Sequence, residues 1–176
     1  MKMRKLVGML AVAAMVCAFS SVAMGAKLLK DYNACEVQEF AVPPNAPAPD
    51  GSGDQLADKI VYQLRRYAQK YGGFDAVVRA GSKEMPAGKK ILLIKGEVTE
   101  YTRPTVGRRI GRSFIPGGEY TGTAYFAAHY KFVDKATGEV VYETDLRTSS
   151  SGSDDTVDYA MLRNAEAAAK VIYKLK

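Results

Sequence analysis

Between Tyr120 and Thr148 the chain alternates apolar and polar residues twice, with one short interruption. On the first arm Ala124, Phe126, Ala128, Tyr130 and Phe132 share a face; on the second Val140, Tyr142, Thr144 and Leu146 do. A period of two belongs to strands with one buried side, so 120–133 and 139–148 are predicted to pair as an antiparallel hairpin. DKATG between them offers Asp134 to start the turn and Gly138 for a left-handed position. A hairpin with so aromatic a face is not stable alone in water, and the rest of the chain must cover it.

Two segments can do so. In Asp54–Tyr71, residues Leu56, Ile60, Leu64, Tyr67 and Tyr71 recur at steps of three and four, away from Asp58, Lys59, Arg65, Arg66 and Lys70. Ser52 or Asp54 is expected to cap this helix and Gly72 to end it. A second helix follows Ser153, its expected cap, with Val157, Met161, Ala165, Ala168, Ile172 and Leu175 as the buried stripe. Asp154, Asp155 and Asp158 sit near its positive end, and Lys170, Lys174 and Lys176 near its negative end.

Three further strands are expected: EVQEFAV (36–42), FDAVVRA (74–80) and ILLIKGEVTEY (91–101). In the last, Leu92, Ile94 and Val98 share a face while Ile91 and Leu93 make its start apolar on both sides, which places it inside a sheet. Pro43, Pro44, Pro47 and Pro49 exclude helix and favour an extended connection before the first helix. The predicted fold is α+β: one mixed sheet of about five strands packed by two amphipathic helices, in the order β-α-β-β-β-β-α. It forms a single domain over 36–176, after a leader at 26–35.

Residues 1–25 read as an export signal: Lys2, Arg4 and Lys5, then an uncharged apolar run, then small residues. Cleavage after Gly25 fits best, with Ala23 the next choice; the run from Leu6 to Ala26 is also long enough for a retained anchor. Lipidation at Cys17 is disfavoured because branched Val16 precedes it. Without residues 1–25 the chain keeps 22 Lys+Arg against 19 Asp+Glu, a formal net charge of +3. That modest excess does not argue for nucleic acid as a partner. Cys35 is then the single cysteine, read as a half-buried packing residue.

Few chemistries remain. His129 is the single histidine; strand alternation puts it with Tyr125, Lys131 and Val133 on the outward face, and no neighbour in sequence orients it as a base. One histidine and one cysteine, 94 residues apart, do not make a zinc site. DGSGD and SGSDD lack the EF-hand spacing and read as helix caps. Ser149, Ser150, Ser151 and Ser153 lie in no nucleophile elbow. Glu97 with Glu100, and Glu143 with Asp145, are carboxylate pairs of the kind a glycosidase needs, but strand surfaces carry such charges anyway. No cofactor is expected.

RPTVGRRIGRSFIPGG (103–118) concentrates Arg103, Arg108, Arg109 and Arg112 with Gly107, Gly111, Gly117 and Gly118. It matches no phosphate-loop pattern. It reads either as a solvated hairpin connection, which loop priors favour, or as a surface for an anionic partner. The candidate binding residues are Arg103, Arg108, Arg109, Arg112, Phe114 and Tyr120, with Tyr101 and Ile115 as further apolar anchors.

From Glu36 onward the chain resembles a family of bacterial exported proteins and lipoproteins that carry a domain of unknown function, of the DUF4410 kind. The resemblance lies in Val37 and Phe40, in Leu93, Gly96, Val98 and Tyr101, in the arginine-glycine stretch, and in Phe132, Asp134, Thr137, Gly138 and Val140. More distantly the chain is similar to the curli secretion lipoprotein and the N-terminal domain of TolB. The resemblance implies a non-enzymatic module of the cell envelope, periplasmic or secreted, or peripheral to the outer membrane. Its partner would be an envelope protein or an anionic envelope component, a lipid headgroup or cell-wall polymer. The alternatives are an enzyme acting on cell-wall or polysaccharide material through its carboxylates, and a homo-oligomeric subunit joined at sheet edges.

Overall fold

The first strand, β1 (Ala34–Val37), lies inside the sheet, and all four of its residues are buried. The computed structural model describes residues 28–46, 48–84, 86, 88–116, 121–151 and 154–176. The expected signal peptide, Cys17, Gly117, Gly118, Tyr120 and Ser153 lie outside them. After β1 come α1 (Ser52–Tyr71), β2 (Ala76–Arg79), β3 (Ile91–Thr102), α2 (Val106–Ser113), β4 (Thr121–Asp134), β5 (Val140–Ser151) and α3 (Val157–Leu175). The sheet runs β2-β1-β3-β4-β5, with β1 parallel to β2 and β3, and the β3–β4 and β4–β5 pairs antiparallel. The mixed five-stranded sheet with two amphipathic helices is thus the observed architecture, and β3 is its central strand.

α1 and α3 cover one face. Leu56, Ile60 and Leu64 of α1 and Met161, Ala165, Ala168 and Ile172 of α3 meet Leu92, Ile94, Val98, Phe126, Tyr130 and Phe132, all buried. Each fully buried large side chain here stabilises the fold by about 1.5–3 kcal/mol. The alanines of α3 let its backbone approach β4 and β5 closely. Beyond Leu64 the α1 stripe leaves the core: Tyr67 is half-buried, and Tyr71 joins Tyr67 and Tyr173 in an aromatic cluster at the far end of the helices.

The first strand is displaced from its predicted place. β1 starts at Ala34, inside the expected leader, and Leu29 and Tyr32 are core residues. With both faces buried, ACEV has no polar alternation by which to be recognised. Residues 38–42 add only a bridge from Ala41 to Glu97. Phe40 nonetheless reaches the core, packing edge-on to Tyr130 at 5.0 Å. The backbone beside Phe40 is crowded: a Cβ on Gly96 would stand 1.9 Å from the His129 carbonyl oxygen.

The helix caps also differ. α1 begins after Gly51 at φ 78°, and no side chain caps it; Ser52 instead donates to the Pro49 carbonyl at 2.7 Å. Gly72, at φ 71°, ends it as expected. α3 is capped by Thr156, whose hydroxyl accepts from the Tyr159 N–H at 3.1 Å. The hairpin turn forms as read: Asp134 accepts from the Ala136 and Thr137 N–H groups at 2.9 and 3.3 Å, and Gly138 sits at φ 75°. Burial opposes the Asp134 carboxylate, but these bonds, one from Tyr32 and the Lys90 charge hold its pKa below the usual carboxylate value.

Candidate functional site

The arginine-glycine stretch is not an extended loop. Residues Val106–Ser113 form α2 between β3 and β4, a difference the paired glycines concealed because they lower helix propensity. Its large apolar residues face water: Val106, Ile110, Phe114 and Ile115 are all exposed, Phe114 the most at 81%. At 3.6 residues per turn, positions 106, 110 and 114 follow one side, positions 108 and 112 fall on the other, and 109 on the flank. Arg103 is exposed before the helix, its guanidinium 5.9 Å from the Tyr101 ring centre. Tyr101 is held from below by Phe126, edge to face at 6.3 Å. Of the six candidate binding residues, the structure therefore places Arg103 and Phe114 at the two ends of α2, with Arg108, Arg109 and Arg112 at positions along it. Tyr120 lies outside the described residues.

The uncovered face of the sheet is a ladder of charges. His129 does have an orienting neighbour, contrary to expectation: across the β4–β5 pairing Asp145 Oδ1 lies 2.8 Å from its Nδ1, and Glu143 Oε2 lies 3.7 Å from its Nε2. The partners come from the adjacent strand, which a single-strand reading misses. Arg147 forks onto Glu100 at 2.6 and 3.1 Å and lies over the Tyr125 ring at 4.3 Å. Beside His129 is a shallow depression of about 290 Å³, lined by Glu39, Lys95, Glu97 and Lys131. Acids and bases alternate there, as on a solvated sheet surface. His129 has what a general base needs to be oriented, but no hydroxyl or thiol nucleophile lines the depression.

The two sheet edges differ. β2 has four residues, and its edge is blunted: Arg65 of α1 donates to the Val77 carbonyl at 2.8 Å. β5 has twelve, and no strand pairs with its outer side among the described residues. Val140 at its start is exposed, and Tyr142, Thr144 and Leu146 are half-buried.

Two residues prove more structural than expected. Cys35 is fully buried rather than half-buried, and burial first, then the neighbouring Glu36, pushes its thiol pKa up. Such a thiol is not reactive. Asp155 does not cap α3. It accepts from the Thr123 N–H and hydroxyl at 2.7 Å each, the Ser150 hydroxyl at 2.7 Å and the Ala124 N–H at 3.2 Å. Burial works against its charge, but the hydrogen bonds from Ser150, Thr123 and Ala124 outweigh it and hold its pKa well below the usual carboxylate value. Among the described residues no group of acids, histidine or cysteine is arranged to hold a metal ion, and no helix is long and apolar enough to cross a membrane.

No protein-family model matches the chain, and no curated protein matches it by sequence. Solved structures do. The chain is similar to a PelC dodecamer from Paraburkholderia phytofirmans, in a single-substitution variant, with a TM-score of 0.54 and 17% identity over 85% of this chain and 88% of that one. A second PelC dodecamer from the same organism gives 0.51 and 14%, over 82% and 89%. A DUF330 protein from Xanthomonas campestris gives 0.43 and 16%, over 79% and 81%. At these identities what the chain shares with PelC is the fold.

Proposed function

We propose that this chain is a non-catalytic interaction subunit of the bacterial cell envelope, exported to the periplasm or beyond, which assembles with copies of itself through the outer edge of β5. The long outer edge of β5 carries the reading: no strand pairs with it among the described residues, although Arg163 donates to its Ser149 carbonyl at 2.9 Å, and a long strand edge without a partner strand is a template for another strand. The PelC structures are dodecamers, and a shared fold offers similar edges for assembly. The sequence motifs from Val37 to Val140 support membership of the DUF4410-like family of exported proteins and lipoproteins.

Sedimentation velocity over a range of protein concentrations tests the assembly. A species several times the monomer mass is expected; a monomer at every concentration overturns it. Mass spectrometry of the exported protein tests the location: an unlipidated N-terminus near residue 26 supports export and cleavage, and a diacylglyceryl group on Cys17 refutes that processing.

One observation favours a second reading. The His129–Asp145 pair beside the Glu39/Glu97 depression would suit hydrolysis of a wall polymer. Turnover of cell-wall material by the parent protein and its loss in His129→Gln would establish that reading in place of the first.

A further inference from the structure

Four of the seven large apolar side chains that stand exposed among the described residues fall within one ten-residue segment: Val106 at 72%, Ile110 at 54%, Phe114 at 81% and Ile115 at 62%. None belongs to the core cluster. Large apolar side chains left in water and gathered in one short segment, rather than scattered singly, mark a contact surface. The same segment carries Arg108, Arg109 and Arg112 and no acidic residue, and Arg103 lies three residues before it. Helical spacing separates the two properties, apolar residues at 106 and 110 and arginines at 108 and 112.

We infer that α2 docks on an anionic lipid bilayer, with Val106, Ile110, Phe114 and Ile115 entering the boundary between headgroups and acyl chains and the arginines meeting lipid phosphates. The inference rests on the envelope reading for its location and adds the surface by which the protein is held there. Interfacial helices combine a basic face with an aromatic or aliphatic one and sink about 5–10 Å. An eight-residue helix about 12 Å long, lying flat, brings Val106 and Ile110 within that depth, and Phe114 and Ile115 follow directly at its C-terminal end.

A second copy of the chain is the weaker occupant. Two α2 segments face to face would bring six arginines together, eight with Arg103 of each copy, and four side chains fall far short of the roughly 800 Å² per partner that a stable protein interface buries. A bilayer needs no such area, because each arginine near an anionic surface strengthens binding by about fivefold and the apolar insertion adds to it.

The chain has no tryptophan, so Phe114→Trp places one fluorophore on the stripe without touching the core. The protein to use is the form that cells export when expressing the full chain. Vesicles of phosphatidylethanolamine with phosphatidylglycerol are expected to shift the emission to the blue, with reversal at high salt and no shift for phosphatidylcholine alone. Adding Arg103→Gln, Arg108→Gln, Arg109→Gln and Arg112→Gln is expected to weaken binding by several hundredfold, on the order of fivefold per charge. Thermal melts of that variant check that it is folded; if it is not, Ile110→Ser with Ile115→Ser, read by vesicle co-sedimentation, takes its place and is expected to abolish binding. Emission that stays water-like with the anionic vesicles overturns the inference, and so does emission already blue without lipid, which would mean that another copy covers the stripe. Equal binding by the folded arginine variant, or by the serine variant, also overturns it. Sedimentation without lipid reports assembly separately, so the two ideas fail independently.

Discussion

The Tyr130 hydroxyl donates to Asn164 Oδ1 at 2.6 Å, and both residues are fully buried, so a polar side-chain bond joins β4 to α3 inside the core. Asn164 is otherwise spent on the strand backbones, its Nδ2 donating to the Leu146 carbonyl at 2.9 Å. Burial pushes the Tyr130 pKa up, which keeps the phenol a donor. Tyr130→Phe keeps the ring contacts with Phe40 and Phe132 but strands an amide oxygen. A loss of about 1–3 kcal/mol is expected in urea unfolding. In a double-mutant cycle with Asn164→Ala the two losses should not add.

Asp155 makes stability depend on acid. Its folded pKa lies below the unfolded value of about 3.9, so the stabilisation is complete above that value and is lost as pH falls through the folded one. Asp155→Asn keeps the shape but loses the charge that Thr123, Ala124 and Ser150 donate to. The melting temperatures of parent and variant should differ most from about pH 5 upward and converge in stronger acid. A constant gap down to low pH would mean that the charge itself contributes nothing.

Gly96 tests the packing of Phe40. An added methyl would meet the His129 carbonyl oxygen at 1.9 Å and the Phe40 ring at 2.8 Å, and the former is backbone that cannot step aside. Gly96→Ala should cost about 1–3 kcal/mol or more. Gly107→Ala, where nothing lies within 4 Å, serves as the control and should not destabilise.

The fold was legible wherever burial was one-sided. Ala124 to Phe132, Leu56 to Leu64 and Met161 to Ile172 each present one face to the core, so periodicity alone places them. It failed at β1, where Cys35 and Glu36 are both buried and no alternation exists; the Lys135–Glu36 ion pair that makes this tolerable comes from 99 residues away. The site was half legible. Its charge and glycines mark 103–118 out, but those glycines argue against the helix that aligns Val106 with Ile110. The pairing of His129 with Asp145 needed the register of two strands, which no local motif encodes.

Cys35 should be silent to thiol reagents. It is 0% exposed and burial holds its pKa up, so thiolate and access are both lacking. A maleimide should label it only after urea unfolding, and the native protein should form no disulfide-linked dimer. Rapid labelling of the native state would show that β1 opens, and with it the centre of the sheet.

The β5 edge gives the sharpest test of assembly. Along an edge strand the backbone N–H groups point alternately into the ladder and out to water. Glu143 and Thr144 are consecutive, paired with Lys131 and Tyr130, so one of them donates inward and the other outward. Proline removes that donor. Of Glu143→Pro and Thr144→Pro, one is expected to unfold the hairpin. The other should keep a native far-ultraviolet circular dichroism spectrum while its sedimentation coefficient falls to that of a monomer. If the folded variant still assembles like the parent, the contact between copies lies elsewhere on the surface, because a strand edge with a missing donor and a protruding ring no longer accepts a neighbour.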